Sequence, residues 1–185
     1  GGGDDTISAT FNLVSANTAS KSTFSGAKVG GNKGADEIYV RVLGTSDEVR
    51  INGNSGNDTI TVTAAADNTD FYVAGGRGDD LITAAFAGAN SSDGATVAGS
   101  LGNDTVAVDF SGGHVSGLLL NGGSGSDSLV LTNQGAVMTA GSGNQLLGGT
   151  GADTITVNLG AGVVVTGASG FVADLGAGAG AIDVN

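Results

Sequence analysis

Apolar and polar residues alternate strictly along several short segments of the chain. Ile38, Val40 and Val42 take every second position in one segment, and the same alternation returns at Ile60/Val62, Val106/Val108/Phe110, Leu129/Leu131 and Ile155/Val157/Leu159. A period of two is typical of a β-strand with one buried face. Shorter apolar runs lie between these segments, at Val49/Ile51, Phe71/Val73, Val97, Leu118/Leu120 and Leu146. Since no stretch has helical periodicity, we predict an all-β fold.

A glycine-rich phrase precedes each alternating segment. Its common form is G-[GNS]-x-G-x-D-x-[ILV], and its copies are GGGDDTI (1–7), GNKGADEIYV (31–40), GNSGNDTITV (53–62), GGRGDDLITA (75–84), GSLGNDTVAV (99–108), GGSGSDSLVL (122–131) and GGTGADTITV (148–157). The aligned acids are Asp5, Asp36, Asp58, Asp80, Asp104, Asp127 and Asp153, spaced by 31, 22, 22, 24, 23 and 26 residues. A fixed period of this length is the mark of a repeat architecture.

Each repeat reads as strand, variable connection, strand and glycine turn. One such unit cannot bury its own apolar face, but stacked units can bury a continuous core. We therefore predict that residues 1–185 form one right-handed parallel β-solenoid (β-helix or β-roll) of 22–26 residues per coil, with glycine–aspartate turns stacked on one edge and an irregular opposite edge. The polar stretch SANTASKST in the first interval is predicted to protrude as a loop. Because Gly1 lies inside a copy of the phrase, we expect a fragment of a longer chain.

Stacking would place the seven aspartates in a column. Two carboxylates ~4.8 Å apart repel by roughly 0.9 kcal/mol in bulk water and by ~3.5 kcal/mol at an effective dielectric of 20. No Lys or Arg recurs beside them, and none occurs after Arg77. The column therefore needs another source of positive charge.

Calcium fits this need. Its bonds to oxygen are ~2.3–2.6 Å, so an ion midway between two coils reaches an oxygen of each, and it takes six to eight oxygen ligands. Glycines allow positive φ angles that can turn carbonyl oxygens inward. We predict Ca²⁺ ligands in the seven aspartates, joined by the backbone oxygens of Gly53, Gly56, Gly75, Gly78, Gly99, Gly102, Gly122, Gly125, Gly148 and Gly151. Magnesium, which prefers ~2.1 Å and near-octahedral order, fits the same bridge poorly.

Composition and charge exclude several other classes of protein. The 185 residues include 36 glycines and no cysteine or proline, which excludes disulfides and thiolate metal sites. The formal net charge is −12, and all six basic residues lie in the first 77 positions. Nucleic acid is therefore an unsuitable partner, because phosphate contacts need a basic patch. No apolar run has the ~20 residues of a transmembrane helix.

The turns resemble the G-G-x-G-x-D-x-U-x calcium-binding repeat of RTX proteins. The closest copies are those at 75–82, 122–129 and 148–155. The resemblance implies calcium bound in the turns by aspartates and backbone oxygens, and an extracellular product of a Gram-negative bacterium, often exported by type I secretion. One feature differs: the family repeats every nine residues with glycine turns on both edges, whereas this chain has one glycine turn per coil. The sequence therefore favours a longer-coiled relative with calcium on one edge.

Catalytic chemistry is missing from the sequence. The single histidine, His114, lies in the connection SGGHVSG, where we expect a solvent-exposed loop residue. A Ser/His/Asp site would need a serine elbow beside it, and no G-x-S-x-G stands between a strand and a helix. We expect no enzymatic activity.

Three functional classes remain open. We favour a calcium-stabilised structural segment of a secreted bacterial surface or extracellular-assembly protein, such as a surface layer, matrix or filament. The alternatives are an adhesin or ligand-binding solenoid, including an ice-binding one, and a non-catalytic RTX module of a secreted enzyme or virion fibre. Ice binding needs a regular threonine ladder, which Glu37/Tyr39/Arg41 and Leu81 interrupt. We expect an extracellular or cell-surface location, and self-association or lateral protein contacts on the side opposite the glycine turns.

Overall fold

The chain forms a parallel β-solenoid, as the alternation and the repeat predict. The computed structural model describes residues 2–11, 24–65, 68–87, 92–111, 114–134, 137–139, 143–160, 165–166 and 172–185. Within these ranges every regular element is a β-strand and no helix occurs. Every strand pair is parallel, so each coil adds its strands to those of the coil before it.

Three parallel sheets run along the solenoid, and each coil contributes a strand to each. Sheet 1 follows the aspartates and consists of Thr6–Phe11, Glu37–Val42, Thr59–Ala64, Leu81–Phe86, Thr105–Phe110, Ser128–Asn133, Thr154–Leu159 and Ala181–Val184. Sheet 2 is short-stranded and consists of Phe24–Ser25, Ser46–Asp47, Asn68–Thr69, Ser92–Asp93, His114–Ser116, Val137–Thr139 and Val165–Thr166. Sheet 3 leads into the glycine turns and consists of Lys28–Lys33, Arg50–Ser55, Tyr72–Arg77, Thr96–Leu101, Leu119–Ser124, Gln145–Thr150 and Val172–Asp174.

The core is a set of stacked apolar columns. Ile60 pairs in register with Ile38 on one side and Ile82 on the other, and all three side chains are fully buried. Phe86 stacks on Phe110 with ring centroids 5.1 Å apart. The intervening residues of sheet 1 point outward, as the period of two predicts. Because each coil covers the next, a thin core of Ile, Val, Leu and Phe is sufficient to bury the interior.

The predictions for the side opposite the glycine turns were wrong in two respects. The connection between the two predicted strands contains the strands of sheet 2, each only two or three residues long. These strands are too short to show a period in the sequence. The edge between sheets 2 and 3 is also regular, because in the six coils where the structure describes this edge one residue has a positive φ angle: Gly26, Glu48, Asp70, Gly94, Gly117 and Gly143. The residue that follows is buried in every case: Ala27, Val49, Phe71, Ala95, Leu118 and Asn144.

Some sequence predictions concern residues that the structure describes only partly. His114 begins a strand of sheet 2 rather than lying in a loop. The predicted protruding loop SANTASKST lies outside the described residues, as do parts of the connections where we expect partner contacts. None of the described residues forms a helix long and apolar enough to cross a membrane.

Candidate metal-binding site

Six aspartates are buried one above another where the glycine turns enter sheet 1. We call them the aspartate column: Asp36, Asp58, Asp80, Asp104, Asp127 and Asp153. Their relative exposures are only 1–3 %, although the chain runs through a surface turn at this point. Ionised carboxylates are almost never buried to this degree without a compensating partner. The arrangement therefore requires specific partners for both oxygens of each carboxylate.

Backbone amides supply the partner for one oxygen. Oδ1 of Asp58 accepts a 2.8 Å hydrogen bond from the N–H of Asp36, and Oδ1 of Asp80 accepts one of 2.8 Å from the N–H of Asp58. The same bond continues from Asp5 at one end to Asp153 at the other. Each carboxylate therefore reaches back to the coil before it and ties the two turns together. The sequence did not predict this ladder, because the repeat shows only that an aspartate recurs at this position and not which atom its carboxylate binds.

The second oxygen of each carboxylate has no hydrogen-bond partner. Oδ2 is fully buried and unpaired in all six members of the aspartate column. An unpaired buried polar atom carries the full penalty of losing its water, which is about 1–3 kcal/mol and more for a charged group. Six such atoms in one column are a repeated feature of the fold, and they all lie at the same place in the turn. They mark the place where a cation would compensate the charge.

The first glycine of the motif makes room for this oxygen. We number the motif G-[GNS]-x-G-x-D as positions one to six. A Cβ atom on Gly53 would collide with Oδ2 of Asp58 and lie 2.6 Å from the carbonyl oxygen of Gly75 in the next coil. The same clash recurs for the pairs Gly31–Asp36, Gly75–Asp80, Gly99–Asp104 and Gly122–Asp127. Position one therefore needs glycine for space, and a carboxylate oxygen and a carbonyl oxygen share that space.

The hydrogen-bond pattern of sheet 3 is interrupted at the same glycine. The first two coils pair Gly30 with Asn52 and Asn32 with Asn54, but skip the pair Gly31 and Gly53 between them. The skipped position recurs between the later coils. The regular residue pairing of sheet 3 is thus interrupted at position one, at the point where Oδ2 is unpaired.

Positions two and four supply the bend of the turn. Position two has a positive φ angle, from 79° at Asn54 to 120° at Gly76, which explains the frequent Gly and Asn there but not Ser100. Position four is glycine with φ between 118° and 138° in the coils from Gly34 to Gly151. A Cβ on Gly102 would also collide with the carbonyl oxygen of Gly78. The carbonyl oxygens at position four therefore lie directly against the glycine of the next coil.

A second ladder, on the outer side of the turns, runs in the opposite direction. At position five, Oδ1 of Asn57 accepts a hydrogen bond from the N–H of Asp79, and Oδ1 of Asp79 accepts one of 2.7 Å from the N–H of Asn103. Asn103 in turn accepts a bond from the N–H of Ser126. These exposed side chains bind the following coil, whereas the aspartate column binds the preceding one. Sequence reasoning missed this ladder, although the frequent Asn, Asp and Ser at position five were its signal.

Burial raises the pKa values in the middle of the column. For Asp80, loss of hydration raises the pKa to about 7; the N–H of Asp58 opposes this shift, and the charges of Asp104, Asp58 and Asp79 add to it. The pKa of Asp104 rises to about 6, mainly because of burial. Burial also raises the pKa values of Asp58 and Asp127. The fold alone therefore disfavours the charged column, and a bound cation would reverse this effect.

The oxygen atoms that could hold calcium come from carboxylates and from the backbone, not from a cluster of side chains alone. Within the part of the chain that the structure describes, no three acidic or histidine side chains cluster to hold a metal ion. Each coil of the aspartate column instead offers one unpaired Oδ2, and carbonyl oxygens of position one lie beside this atom at Gly75 and Gly148. Only oxygen atoms are offered, and several coils must contribute. Hard cations that accept many oxygen ligands at flexible distances, such as calcium, suit such a site.

The predicted ligands thus fall into three groups. The structure brings Asp36 through Asp153 into one column, and the position-one carbonyls of Gly75 and Gly148 lie beside its unpaired oxygens. The position-four glycines are predicted ligands whose carbonyl oxygens face the next glycine. Asp5 joins the column through its N–H, and its side chain is partly exposed. Calcium coordination by these atoms remains a prediction.

Comparison with known protein families agrees with the geometry of the turns. The family model described as RTX calcium-binding nonapeptide repeat (4 copies) matches residues 41–68 and 138–168. These two stretches contain the turns of Asp58 and Asp153. The prediction of an RTX-type calcium-binding repeat protein is confirmed by this match. No curated protein and no solved structure matches the chain.

Proposed function

We propose that the chain is a calcium-stabilised structural segment of a secreted bacterial surface or extracellular-assembly protein. The proposal is supported by the chain's RTX-type calcium-binding repeats and by the β-solenoid that they form. Calcium is its structural ligand. The chain's own residues supply the carboxylates, the carbonyl oxygens and the space that glycine leaves. No catalytic role is assigned to His114 or to any other residue.

One observation carries the calcium part of this proposal: six buried carboxylates each keep one oxygen without a partner. A fold that buries six charges in a row is compatible with neutral pH only if something neutralises them. The sequence has no Lys or Arg beyond Arg77, so the chain cannot neutralise the later turns with its own side chains. A divalent cation shared between coils neutralises two carboxylates at once.

Calcium dependence would also explain how such a chain folds only after export. The column exists only when the coils are stacked, so calcium binds the folded chain and its binding free energy adds to folding stability. Extracellular modules commonly have dissociation constants of ~10⁻⁴–10⁻³ M, well matched to calcium outside cells. The chain would stay unfolded in calcium-poor cytosol and fold outside. The extracellular location in this proposal is supported by the RTX match and by this coupling.

The repeated geometry supports a structural role over a binding role. Outward residues of sheet 1 form no uniform ladder, because Glu37, Leu81 and Asp109 interrupt the threonines. The exposed side chains of Tyr39 and Leu81 lie on this same face and offer apolar area for lateral contacts with other chains. We infer that assembly uses lateral contacts on this outward face of sheet 1, in addition to those expected on the side opposite the glycine turns, while calcium holds each segment rigid.

The test is a calcium titration of the 185-residue chain. Far-UV circular dichroism in calcium-free buffer should show loss of β-structure, and millimolar calcium should restore it, whereas the same concentration of magnesium should not. Isothermal titration calorimetry would then give the number of ions. A β-signal that is unchanged by removal of calcium, with no heat of binding on its return, would refute the proposal.

A further inference from the structure

The last coil keeps the shape of the glycine turn but changes its two chemical positions. Residues 175–182 read Leu-Gly-Ala-Gly-Ala-Gly-Ala-Ile, which aligns with Gly148–Ile155 of the coil before. Gly176 and Gly178 have positive φ angles of 72° and 154°, so the bends at positions two and four are retained. Position one, however, is Leu175, and position six is Gly180. The glycine and the aspartate have thus been replaced together.

The leucine side chain lies where the carboxylate would otherwise be. A Cβ on Gly180 would lie 3.0 Å from Cδ2 of Leu175, so the side chain at position one extends to position six in this coil. In the coils of the aspartate column the reverse holds, because the aspartate at position six extends to the glycine at position one. Leu175 also packs against the apolar core. Gly180 has no side chain to accept a hydrogen bond, so the carboxylate ladder ends at Asp153. An apolar group therefore fills the space that holds an unpaired oxygen in the coils of the aspartate column.

The carbonyl oxygen at position one is still in place. The position of a Cβ on Gly148 is 2.7 Å from Oδ2 of Asp153 and 2.8 Å from the carbonyl oxygen of Leu175. Asp153 therefore keeps the carbonyl of the next coil but has a carboxylate neighbour on one side only, at Asp127. Calcium needs several oxygen ligands, and a leucine side chain contributes none.

We propose that the residue pair at positions one and six decides whether a turn takes calcium, and that Leu175 with Gly180 closes the calcium column at Asp153. The leucine side chain covers the end of the column and keeps water out. Apolar packing, in place of an ion, stabilises the last turn. This inference rests on the proposed calcium function. It concerns a turn whose backbone matches the others, so neither the repeat period nor the glycine bends reveal it.

The first experiment counts calcium ions by isothermal titration calorimetry in the parent chain and in L175G/G180D, which restores glycine and aspartate together. We expect one additional ion in the double variant. The single variants are the controls: G180D leaves Leu175 in the site, L175G supplies no carboxylate, and neither should gain an ion. A double variant that folds by circular dichroism and binds the parent number of ions would overturn the inference.

A second variant leaves the backbone of the last turn unchanged. This is needed because a Cβ on Gly180 would collide with the carbonyl oxygen of Asp153, so an aspartate there requires the coil to shift. L175A removes only the proposed seal. Calcium release into a fluorescent chelator should become several-fold faster for one ion, with the total number of ions unchanged. L159A is the matched control, because Leu159 is also a partly buried leucine packed on the core but lies at the far end of its strand from Asp153.

The outcomes separate the two proposals. A parent chain that binds no calcium would refute the proposed function itself. A parent that binds calcium but releases it at the same rate in L175A as in L159A would overturn only the role of Leu175. Faster release that is specific to L175A would support it.

Discussion

The N–H of Asp58 donates a 2.8 Å hydrogen bond to Oδ1 of Asp80, 22 residues further along the chain. The two residues occupy the same position in adjacent coils, so one carboxylate binds the backbone of its neighbour while its other oxygen stays unpaired. Each aspartate thus has a structural function and an unused ligand atom. Substitutions that separate these two functions provide the clearest tests.

Asp80→Asn and Asp80→Ala should differ in calcium-free buffer. The asparagine keeps an acceptor for the N–H of Asp58 and removes the buried charge, so we expect stability equal to or above that of the parent. Alanine leaves that N–H unpaired and should cost about 1–3 kcal/mol. Thermal unfolding followed by circular dichroism measures both effects, in an osmolyte such as trimethylamine N-oxide that strengthens apolar burial and lets the calcium-free chain fold. In saturating calcium both variants should fall below the parent, because each lacks the ligand atom.

The same comparison distinguishes a purely structural column. If Asp80→Asn gains as much stability from calcium as the parent does, Oδ2 of Asp80 is not a ligand. Asp5→Asn is the matched control: Asp5 lies at the end of the column with a partly exposed side chain. We expect it to change calcium stabilisation least.

Acid should stabilise the calcium-free chain. The folded pKa values of Asp80 and Asp104, about 7 and about 6, lie above the ordinary value of 3.8. A group whose pKa is raised by folding contributes stability that is complete below its unfolded pKa and is lost as the pH rises through its folded pKa. The melting temperature should therefore increase as the pH falls from about 8 to about 5. The buffers contain the same osmolyte, so that the calcium-free chain folds, and they are treated with a chelating resin, because soluble chelators weaken in acid.

Saturating calcium should remove or invert this dependence, since the ion holds the carboxylates ionised and protons compete with it. Asp80→Asn should weaken the acid effect in calcium-free buffer, because it removes the group with the highest of these pKa values. A calcium-free melting temperature that rises steadily from pH 5 to pH 8 would contradict the prediction.

The sequence predicted the features that recur with a fixed chemical signature. Alternation placed Ile60 and Val62 inside and Thr59 and Thr61 outside, and the phase of the glycine phrase aligned the aspartates. The inward and outward directions follow from the period of two alone, and parallel stacking follows from the repeat. Both are statements about backbone geometry that apolar patterns encode directly.

The missed features depend on contacts between coils. The partner of Oδ1 is a backbone N–H, which has no residue identity, so no sequence pattern could reveal it. The edge between sheets 2 and 3 was missed because its positive φ residue is Glu48 in one coil, Asp70 in the next and glycine in others. The predicted right-handed winding of the solenoid's coils stays a prediction.

Two glycines with positive φ angles should differ sharply in tolerance to alanine. Gly26 has φ of 79° and open space where the methyl group of an alanine would lie, so Gly26→Ala should cost only about 1–2 kcal/mol of backbone strain. Gly102 has φ of 131° and its Cβ would collide with the carbonyl oxygen of Gly78. Gly102→Ala should therefore cost about 3 kcal/mol or more, since strain and overlap add. Chemical unfolding in saturating calcium measures both; equal costs would contradict the close stacking of the turns.

The Glu48→Gly variant should be more stable to unfolding than the Glu48→Ala variant. Its φ of 58° is a conformation that costs residues other than glycine about 1–2 kcal/mol, and four other coils have glycine at this edge. Comparison of Glu48→Gly with Glu48→Ala cancels the loss of the exposed ion pair with Arg50, whose atoms are 3.6 Å apart. We expect glycine to be favoured by up to about 1 kcal/mol after allowing for its greater freedom in the unfolded chain.

The control position is Lys28, an exposed strand position of sheet 3, where the alanine variant should be more stable than the glycine variant. Urea unfolding of the four variants at fixed calcium measures these differences, and the same order at both positions would show that the edge imposes no left-handed conformation.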